Sequence, residues 1–420
     1  MSNIPTDVLI VGAGPAGLAA AAAASTANAK VTLVDENPLI GGQIWRAELG
    51  KTKSPDAQRF LNAFDNDSVE IINSTTIFDV VGPNVLAAQT PKGRIDLEYQ
   101  KLILATGARE RFLPFPGWTL PGVFGAGGLQ ALVKGGLKLG GKRVIVAGTG
   151  PLLLAVADYL KAKGAVVLLI AEQTSAAKIR RFARGLWRQP DKMIQAAALR
   201  ARLLGIPYKT DMWVTSVGGS LSVSEGITRP LTVTVASRGT TRTLNCDYLA
   251  CGFHLVPNLE LPSVLGCDIQ SGVVTVDKHQ KTSVENIYCA GEPTGIAGVE
   301  SSLIEGEIAG LATSGQIGKA GALIKRRDAA KRFGEALKRT FALRPELKRL
   351  ADDNTFVCRC EDVTLGSLKT FKSFREAKLQ TRCGMGPCQG RVCGPAVGFL
   401  FGWEPASVRP PLFPVKMEHL

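Results

Sequence analysis

Histidine is scarce in this chain: three of the 420 residues are histidine, namely His254, His279 and His419. Because histidine is the side chain that most often exchanges protons near neutral pH, its scarcity favours a protein that carries electrons. Long apolar runs are also lacking, and none approaches the ~18–20 residues that a membrane-spanning helix requires. The longest candidate, residues 18–24, follows no basic segment. We therefore expect a cytoplasmic protein without a secretory signal, with membrane-surface association left open.

Positive charge is concentrated in two windows. The formal net charge is +14 at pH 7, and residues 178–202 contain eight basic side chains against Asp191. Residues 325–349 contain ten basic side chains against three acidic ones, so the rest of the chain is close to neutral. Nucleic-acid binding is one interpretation of such windows. The nucleotide and cysteine motifs of the chain instead favour solvated helical faces, or a surface that meets an acidic partner or a phosphate cofactor, and we expect no nucleic-acid partner.

A glycine-rich turn lies between an apolar strand and an alanine-rich helix near the start of the chain. DVLIV at residues 7–11 predicts a buried strand, and GAGPAG at residues 12–17 leads into a helix expected to reach about Ala27. A second strand at residues 30–34 ends in Asp35 and Glu36. In such a unit the glycines permit the turn, the approach of a pyrophosphate and close helix–strand packing, and the acid accepts hydrogen bonds from ribose. The pattern predicts a dinucleotide site, and a nucleotide-free Rossmann unit is the alternative.

Three further segments resemble the two-dinucleotide-domain flavoprotein superfamily of the disulfide reductases. They are GGQ at residues 41–43, LILATG at residues 102–107 and IYCAGE at residues 287–292, which precedes a helix expected over residues 299–312. The resemblance covers about residues 5–320 and implies FAD. Glu292 stands where the superfamily has an aspartate on the flavin ribityl chain, so we expect that role for a longer acid. The cofactor-binding residues implied are Gly12, Gly14, Pro15, Ala16, Gly17, Asp35, Glu36, Gly42, Gln43, Thr106, Gly107, Gly291 and Glu292.

A second Rossmann-type pattern follows at residues 142–172. KRVIVA at residues 142–147 predicts a strand, and GTGPLL at residues 148–153 predicts a turn into a helix that ends near residue 163. Leu153 occupies the third glycine position, which should hinder helix–strand packing and the approach of a pyrophosphate. Glu172, after the next strand, disfavours a 2′-phosphate, so NAD is preferred to NADP if either binds. Another adenine nucleotide and an empty structural domain are the alternatives.

These patterns predict an α/β protein with one Rossmann-like dinucleotide-binding domain inserted in another. We expect the FAD-binding domain at residues 1–121 and 246–320, the second domain at 122–245, a basic helical connector at 321–350 and a cysteine-rich domain with its tail at 351–420. Residues 1–320 contain no C-x-x-C pair, so we expect no thiol–disulfide active site. The four scattered cysteines of this region are interpreted as small buried hydrophobes: Cys246, Cys251, Cys267 and Cys289.

Five of the nine cysteines lie within residues 358–393. CRC at residues 358–360 is followed by TRCGMGPCQGRVC at residues 381–393. Disulfides are rare inside cells, which favours metal ligation, and four thiolates suit a [2Fe–2S] cluster or a tetrahedral zinc ion. The glycines at 384, 386 and 390 would let backbone amides approach the sulfurs, while Arg359, Arg382 and Arg391 would offset negative charge. Cysteine spacing alone does not separate the two metals.

This segment resembles the bacterioferritin-associated-ferredoxin-like [2Fe–2S] domain. Together with the flavoprotein segments, it makes the chain similar to the FAD-containing subunit of heteromeric amine and imino-acid dehydrogenases, a group that includes opine oxidases, D-hydroxyproline dehydrogenases, hydrogen cyanide synthase and the alpha chain of sarcosine oxidase. By position the resemblance implies Cys358, Cys360, Cys388 and Cys393 as the cluster ligands. Cys383 stands where these relatives commonly carry a small residue, as a spare thiol or an alternative ligand. An empty domain is the further alternative.

Three functions are compatible with the sequence. The resemblance favours an electron-transfer subunit with FAD and a [2Fe–2S] cluster, in complex with an FAD-containing beta subunit that oxidises an amino or imino acid, a small third subunit being optional. A downstream acceptor receives the electrons, and we expect no catalytic residue for the substrate in this chain. A self-contained NADH:acceptor oxidoreductase is the second function, favoured by Glu172 and opposed by Leu153. An assembly protein with a zinc-bound tail and a structural flavin is the third.

Overall fold

The computed structural model describes residues 2–26, 29–45, 58–60, 68–186, 189–219, 230–404 and 407–420. Ala27, at the expected end of the first helix, lies outside these ranges. The chain forms two compact units: the first comprises Met1–Arg109, Val256–Glu335 and Ser407–Leu420, and the second comprises Glu110–Leu255 and Ala336–Ala406. Among the described residues, no helix is both long enough and apolar enough to span a membrane.

A seven-stranded sheet forms the centre of the first unit. Its hydrogen-bonded order is Val69–Ile72, Val31–Val34, Ser2–Val11, Gly93–Leu104, Val85–Thr90 and Thr76–Gly82, with Ile287–Cys289 beside the end of Gly93–Leu104. The strands on both sides of Ser2–Val11 run parallel to it, as does Ile287–Cys289 to its neighbour. A parallel sheet is covered on both faces, which explains the continuous apolar run at residues 8–11. This strand starts five residues before the expected position because residues 2–6 continue the pairing with Gly93–Leu104.

Two helices of the first unit cross at close range. The helices of this unit are Pro15–Ser25, Gly42–Trp45, Glu260–Val264, Val299–Thr313 and the first part of Ile317–Thr340. The unit also contains 3-10 turns at Glu292–Thr294 and Met417–His419 and a hairpin of Ile269–Gln270 and Val273–Val274. The expected helix at residues 299–312 is therefore confirmed. This helix crosses Pro15–Ser25 so closely that only glycine fits at two positions. A β-carbon at Gly306 would lie 2.1 Å from Ala16 O, and one at Gly310 would lie 2.3 Å from Ala20 O.

A five-stranded parallel sheet forms the centre of the second unit, in the order Tyr208–Thr210, Val166–Glu172, Arg143–Gly148, Tyr248–Gly252 and Val123–Gly125. A three-stranded antiparallel sheet of Met212–Gly218, Leu231–Ser237 and Thr240–Cys246 accompanies it. The helices are Ala126–Lys134, Leu152–Ala162, Ala176–Gly185 and Pro190–Arg202. Tyr248–Gly252 pairs with Arg143–Gly148, although the domain boundary expected at residue 245 would place it in the other unit. Two short strands, Ala108–Glu110 and Leu255–Pro257, lie where the chain passes between units.

The cysteine-rich segment belongs to the second unit. It consists of a 3-10 turn at Pro345–Arg349, the strands Phe356–Cys358 and Val363–Thr364, and the helices Leu365–Leu368, Phe374–Thr381 and Cys393–Phe401. These elements enclose a small core of their own, which includes Leu368, Phe374 and Val397. The indole Nε1 of Trp118 donates a 2.6 Å hydrogen bond to Phe356 O and so attaches this segment to the rest of the unit.

Two glycines in helices test how tightly the first unit is packed. We expect Gly310→Ala to lower the free energy of unfolding by about 1–3 kcal/mol, because the new methyl group would overlap the backbone of Ala20. Gly321→Ala, in the helix Ile317–Thr340, meets no atom within 4 Å. This control should leave stability unchanged or raise it by up to ~1 kcal/mol through helix propensity. Thermal unfolding of both variants gives the comparison, and equal stabilities would contradict the close crossing.

Candidate functional site

The carboxyl ends of three adjacent parallel strands meet at the first glycine-rich loop. Ala105 N donates a 2.9 Å hydrogen bond to Val11 O, and Ala290 N donates a 3.0 Å hydrogen bond to Leu104 O. These contacts place the segments after the three strands side by side. This edge is the place at which open parallel sheets bind ligands. Sequence segments that are up to 280 residues apart are thus brought together, as the expected dinucleotide site requires.

The glycines of the loop have separate geometric tasks. Gly12 has a φ of +104°, and a β-carbon there would lie 2.3 Å from Ala105 O. A β-carbon at Gly17 would lie 1.8 Å from Gly12 O, so only glycine lets the helix start against the strand. A β-carbon at Gly14 would meet a single neighbour, the Cα of Gly42 at 3.9 Å. The backbone at Gly14 is therefore open on the side where a phosphate can approach the helix N-terminus.

Other expected cofactor residues surround this loop. Pro15 lies in the first turn of the helix, where its missing N–H is tolerated, and Ala16 is buried beneath Gly291. Gly42 has a φ of +58° and faces Gly14. Glu36 and Gln43 are exposed at the rim. Gly42 therefore lies against the loop, and Gly291 lies against the first turn of the helix that follows it.

Asp35 holds the glycine-rich loop from the end of the second strand. Its Oδ2 accepts a 2.6 Å hydrogen bond from Ala13 N, and its Oδ1 accepts two 2.8 Å hydrogen bonds from the backbone and the side-chain amide of Asn37. The carboxylate is therefore a support for the loop at the position where a ribose-binding acid is expected. A carboxylate has about four lone-pair sites, so one is left for a further donor.

Asn258 clamps Thr106 and Gly107. Its side-chain amide donates to Thr106 O at 2.8 Å, and its backbone amide donates to Gly107 O at 3.0 Å. The hydroxyl of Thr106 donates in return to Asn258 O at 2.9 Å. The Thr-Gly segment is thereby fixed at the end of its strand. Sequence reasoning did not identify Asn258.

A buried glutamate that sequence reasoning missed supports the Gly-Glu segment. Glu305 accepts hydrogen bonds from Gly291 N at 2.8 Å and from the Thr294 hydroxyl at 2.7 Å. Its other oxygen lies 3.1 Å from Lys331 Nζ, and the Glu305 side chain is 1% exposed. A buried charge needs such a partner. The same helix also carries Glu300 and Glu307, so the sequence contained no signal that singles out Glu305.

Glu292 has an unusual protonation equilibrium. Although part of its side chain reaches solvent, desolvation of the carboxyl group raises its pKa to about 7, while a hydrogen bond from the Ala108 backbone opposes the shift. The group is therefore neutral in a large fraction of molecules at neutral pH. In that form it can donate a hydrogen bond as well as accept one.

The five clustered cysteines are all free thiols, and they divide into two sets. Cys358, Cys383 and Cys393 are buried, and their sulfurs lie within 4.8 Å of one another. Cys360 is exposed and lies beside Cys388. Four of the five, namely Cys358, Cys360, Cys388 and Cys393, line one cavity of about 100 Å³ together with Phe112, Trp118, Arg359 and Val392. The four expected ligands thus line one cavity. Cys383 does not line it, although its sulfur lies within 4.8 Å of the sulfurs of Cys358 and Cys393.

The glycines of this segment make close approach possible. A β-carbon at Gly386 would lie 2.4 Å from the Cβ of Cys360, so only glycine fits there. Hydrogen bonds from the Cys383 and Cys393 thiols, together with one from the Gly384 amide, hold the pKa of Cys358 well below its usual range. Of the three expected arginines, Arg359 lines the cavity and Arg382 pairs with Glu361 at 2.7 Å. Arg391 hydrogen-bonds Gln389 at 2.8 Å.

The fold and the first glycine-rich site define a flavin-dependent oxidoreductase with two Rossmann-type units. The sequence pattern of the pyridine nucleotide-disulphide oxidoreductase family matches residues 6–309, and the chain belongs to this family. The α/β fold with Rossmann-type units that the sequence predicts is thereby confirmed.

The similarity to known proteins covers more of the chain than the family pattern does. The A subunit of the opine oxidase of Rhizobium meliloti is 30% identical over 99% of this chain and 87% of its own. The HcnB subunit of the hydrogen cyanide synthase of Pseudomonas aeruginosa is 29% identical over 92% of this chain and 90% of its own. The crystal structure of L-proline dehydrogenase from P. horikoshii shares the fold, with a TM-score of 0.70 at 20% identity over 100% of this chain and 80% of that one. The resemblance to subunits of amine-oxidising enzymes is confirmed.

The raised pKa of Glu292 predicts a pH dependence of stability. A carboxyl group whose folded pKa of about 7 exceeds the ordinary 4.5 stabilises the folded chain below pH 4.5, and this contribution is lost as the pH rises through 7. Glu292→Gln is neutral throughout. We therefore expect the melting temperature of the flavin-free wild-type chain to fall relative to Glu292→Gln between pH 5.5 and pH 8.5.

Glu285→Gln, which changes an exposed glutamate, is the matched control and should follow the wild-type curve. Parallel curves for the wild type and Glu292→Gln would show that the carboxyl group titrates normally.

Proposed function

We propose that this chain is the FAD- and [2Fe–2S]-containing electron-transfer subunit of a heteromeric dehydrogenase or oxidase that acts on an amino or imino acid, such as an opine or hydroxyproline. The observation that carries the proposal is the convergence of four thiols on one cavity in a chain with a flavoprotein fold. This chain is similar over nearly its full length to the A subunit of an opine oxidase, which supports the proposed substrate class and the presence of a partner subunit.

The residues around the first glycine-rich loop fit FAD. Gly14 leaves the helix N-terminus open to a pyrophosphate, and Gly42 opposite it has no side chain to obstruct the approach. Asp35 keeps a lone pair for a ribose hydroxyl, and Glu292 lies after the strand that ends beside the loop. The complete set proposed to hold FAD is Gly12, Gly14, Pro15, Ala16, Gly17, Asp35, Glu36, Gly42, Gln43, Thr106, Gly107, Gly291 and Glu292.

The cysteine-lined cavity fits a metal cluster. Cys358, Cys360, Cys388 and Cys393 supply the four thiolates that a [2Fe–2S] cluster takes, and Gly384 and Gly386 let the backbone come close to them. Residues 351–420 are proposed as the cluster domain with its tail, and residues 321–350 as the basic connector. The FAD domain expected at 1–121 and 246–320 and the second domain expected at 122–245 are proposed with one change, namely that Tyr248–Gly252 belongs to the second domain. When bound, FAD exchanges one or two electrons and the cluster exchanges one.

Substrate chemistry is proposed to reside on the partner, a beta subunit with its own FAD, and a small third subunit is an optional member. The imidazoles of His254 and His419 contact Phe341 and Gln89, neither of which is an expected cofactor residue. The helices Ala176–Gly185 and Pro190–Arg202 have no buried residue along their described lengths and carry one of the two basic windows. They suit docking of an acidic partner or electron acceptor. A cytoplasmic location is part of the proposal.

Anaerobic mixing experiments test this function. The chain should be purified alone and after co-expression with the products of adjacent genes, and each preparation mixed with a panel of opines, hydroxyproline and other imino acids. We expect substrate-dependent bleaching of flavin absorbance only in the co-expressed material. Bleaching by the lone chain would place the substrate site in this chain itself and overturn the proposal.

Gly14→Val tests the proposed FAD site. We expect the variant to fold but to retain no FAD, because the chain leaves room for a side chain at this position while the pyrophosphate does not. Flavin absorbance per chain and far-ultraviolet circular dichroism are the measurements. Gly140→Val, at a glycine with no atom within 4 Å of an added β-carbon, is the control and should stay yellow. Equal flavin content in both variants would refute the assignment.

Cys388→Ala and Cys383→Ala form a matched pair of cysteine substitutions. Cys388 lines the cavity with the other proposed ligands, whereas Cys383 does not. We expect Cys388→Ala to lose most of its iron while it keeps FAD, and Cys383→Ala to keep both. Iron and flavin analysis of anaerobically purified protein gives the result. Loss of iron in Cys383→Ala with retention in Cys388→Ala would reverse the proposed ligand set.

A further inference from the structure

The second Rossmann unit holds a piece of its own chain at the carboxyl edge of its sheet. Residues 341–344 follow the helix Ile317–Thr340 and lie against Thr149 in the glycine-rich turn and against Gln173 after the strand Val166–Glu172. Thr149 Oγ1 lies 3.0 Å from Phe341 O. The imidazole Nε2 of His254, in the same unit, lies 2.7 Å from the same oxygen. This carbonyl is therefore fixed between two side chains of the nucleotide-type fold.

Gln173 makes a reciprocal set of contacts with the segment. Its Nε2 donates to Ala342 O at 3.1 Å, and its Oε1 accepts from Arg344 N at 3.0 Å. Arg344 Nη1 donates to Gln173 O at 3.1 Å, and the guanidinium lies 3.8 Å from the centre of the Trp213 ring. Side chains at this position, just after the acid of a Rossmann unit, normally face the adenosine half of a dinucleotide. Here the side chain of Gln173 binds the backbone of Ala342 and Arg344 in the same chain.

The glycine-rich turn faces an aromatic ring. The ring of Phe341 lies 3.9 Å from the position of a β-carbon on Gly150, the second glycine of the pattern. The ring packs edge to face against Phe182, with centroids 5.9 Å apart, and Phe341 is 5% exposed. In the first unit the equivalent Gly14 faces Gly42, which has no side chain. The side of the turn that faces only the backbone of a glycine in the first unit thus faces an aromatic ring in the second.

The acid of the second unit is enclosed. Glu172 is 0% exposed, and its carboxylate accepts hydrogen bonds from Gly150 N at 2.7 Å, Thr174 N at 2.8 Å and the Thr149 hydroxyl at 3.0 Å. Gln173, which follows this acid and hydrogen-bonds the segment 341–344, is 2% exposed. Burial of this kind leaves no path for a ribose hydroxyl unless the segment 341–344 moves away.

We propose that residues 341–344 permanently fill the dinucleotide crevice of the second unit, which takes neither NADH, NAD⁺ nor ATP and instead anchors the chain that leads into the cysteine-rich segment. The inference concerns this chain alone and does not depend on the proposed partner or substrate. Its consequence for the reaction is that nicotinamide cofactors do not supply electrons through this unit. Leu153 replaces the third glycine of the pattern and is fully buried. This supports a structural role for the crevice, because the glycine at this position is the one that nucleotide-binding units use for close helix–strand packing.

Calorimetric titration of the FAD-loaded, full-length chain with NADH, NAD⁺ and ATP, each to millimolar concentration, tests the proposal. We expect no saturable binding, and no bleaching of flavin by NADH under anaerobic conditions. Binding of any of the three that also slows hydrogen exchange at residues 148–150 would overturn the proposal. Binding that leaves exchange at residues 148–150 unchanged would locate the nucleotide elsewhere and uphold it.

Arg344→Ala tests the anchoring role. We expect hydrogen exchange of the backbone at residues 341–346 to accelerate by about tenfold, because the side chain loses its hydrogen bond to Gln173 and its contact with Trp213. Arg349→Ala, an exposed arginine in the following 3-10 turn, is the control and should exchange as the wild type. Gln173→Ala repeats the test should Arg344→Ala fold poorly. If Arg344→Ala or Gln173→Ala exchanges backbone hydrogens at residues 341–346 at the same rate as Arg349→Ala, these contacts do not hold the segment.

Discussion

One interaction occurs twice in this molecule, and both units are built around it. A carboxylate after the second strand of each Rossmann unit accepts a hydrogen bond from a backbone amide of the glycine-rich turn: Asp35 from Ala13 N at 2.6 Å and Glu172 from Gly150 N at 2.7 Å. The bond fixes the turn at the end of the first strand and fixes the start of the helix that follows. Because the acid is buried, removal of it would leave an unpaired amide in the interior.

The two copies of this arrangement differ in what faces the turn. In the first unit Gly14 has glycine opposite it, so the helix N-terminus stays accessible to an anion. In the second unit the ring of Phe341 faces Gly150, and Gln173 hydrogen-bonds the adjoining backbone. One fold therefore serves two purposes: a cofactor site in one case and attachment of the cysteine-rich segment in the other.

Much of this organisation could be predicted from the sequence because it follows from local spacing. The distance from Gly12 to Asp35 and the apolar strands reflect contacts that are typical of a Rossmann unit. The Thr-Gly and Gly-Glu segments were expected from the resemblance to the flavoprotein superfamily. The convergence of Cys358, Cys360, Cys388 and Cys393 was expected from the resemblance to a [2Fe–2S] domain. The position of Cys383, within 4.8 Å of Cys358 and Cys393 but outside the cavity lining, could not be predicted, because it depends on tertiary packing.

Other parts could not be predicted, because they depend on contacts between distant segments. Phe341 and Gln173 are 168 residues apart, and nothing in either stretch indicates the other. The second unit was expected to hold NAD, another nucleotide or nothing, and the occupant from the same chain was not considered. Glu305 was missed for a related reason: its partners Gly291 and Lys331 lie on separate elements. The strand Tyr248–Gly252 likewise joins the second sheet through pairing that a sequence pattern does not specify.

The proposed electron transfer requires two cofactors, and their stoichiometry in one preparation is its most direct measurement. The wild-type chain should be purified anaerobically and analysed for iron, zinc and flavin per chain. We predict two iron atoms and one FAD, with no zinc above background, since four thiolates around one cavity suit a [2Fe–2S] cluster. One zinc ion without iron would contradict the electron-transfer role, because zinc has no redox chemistry to contribute.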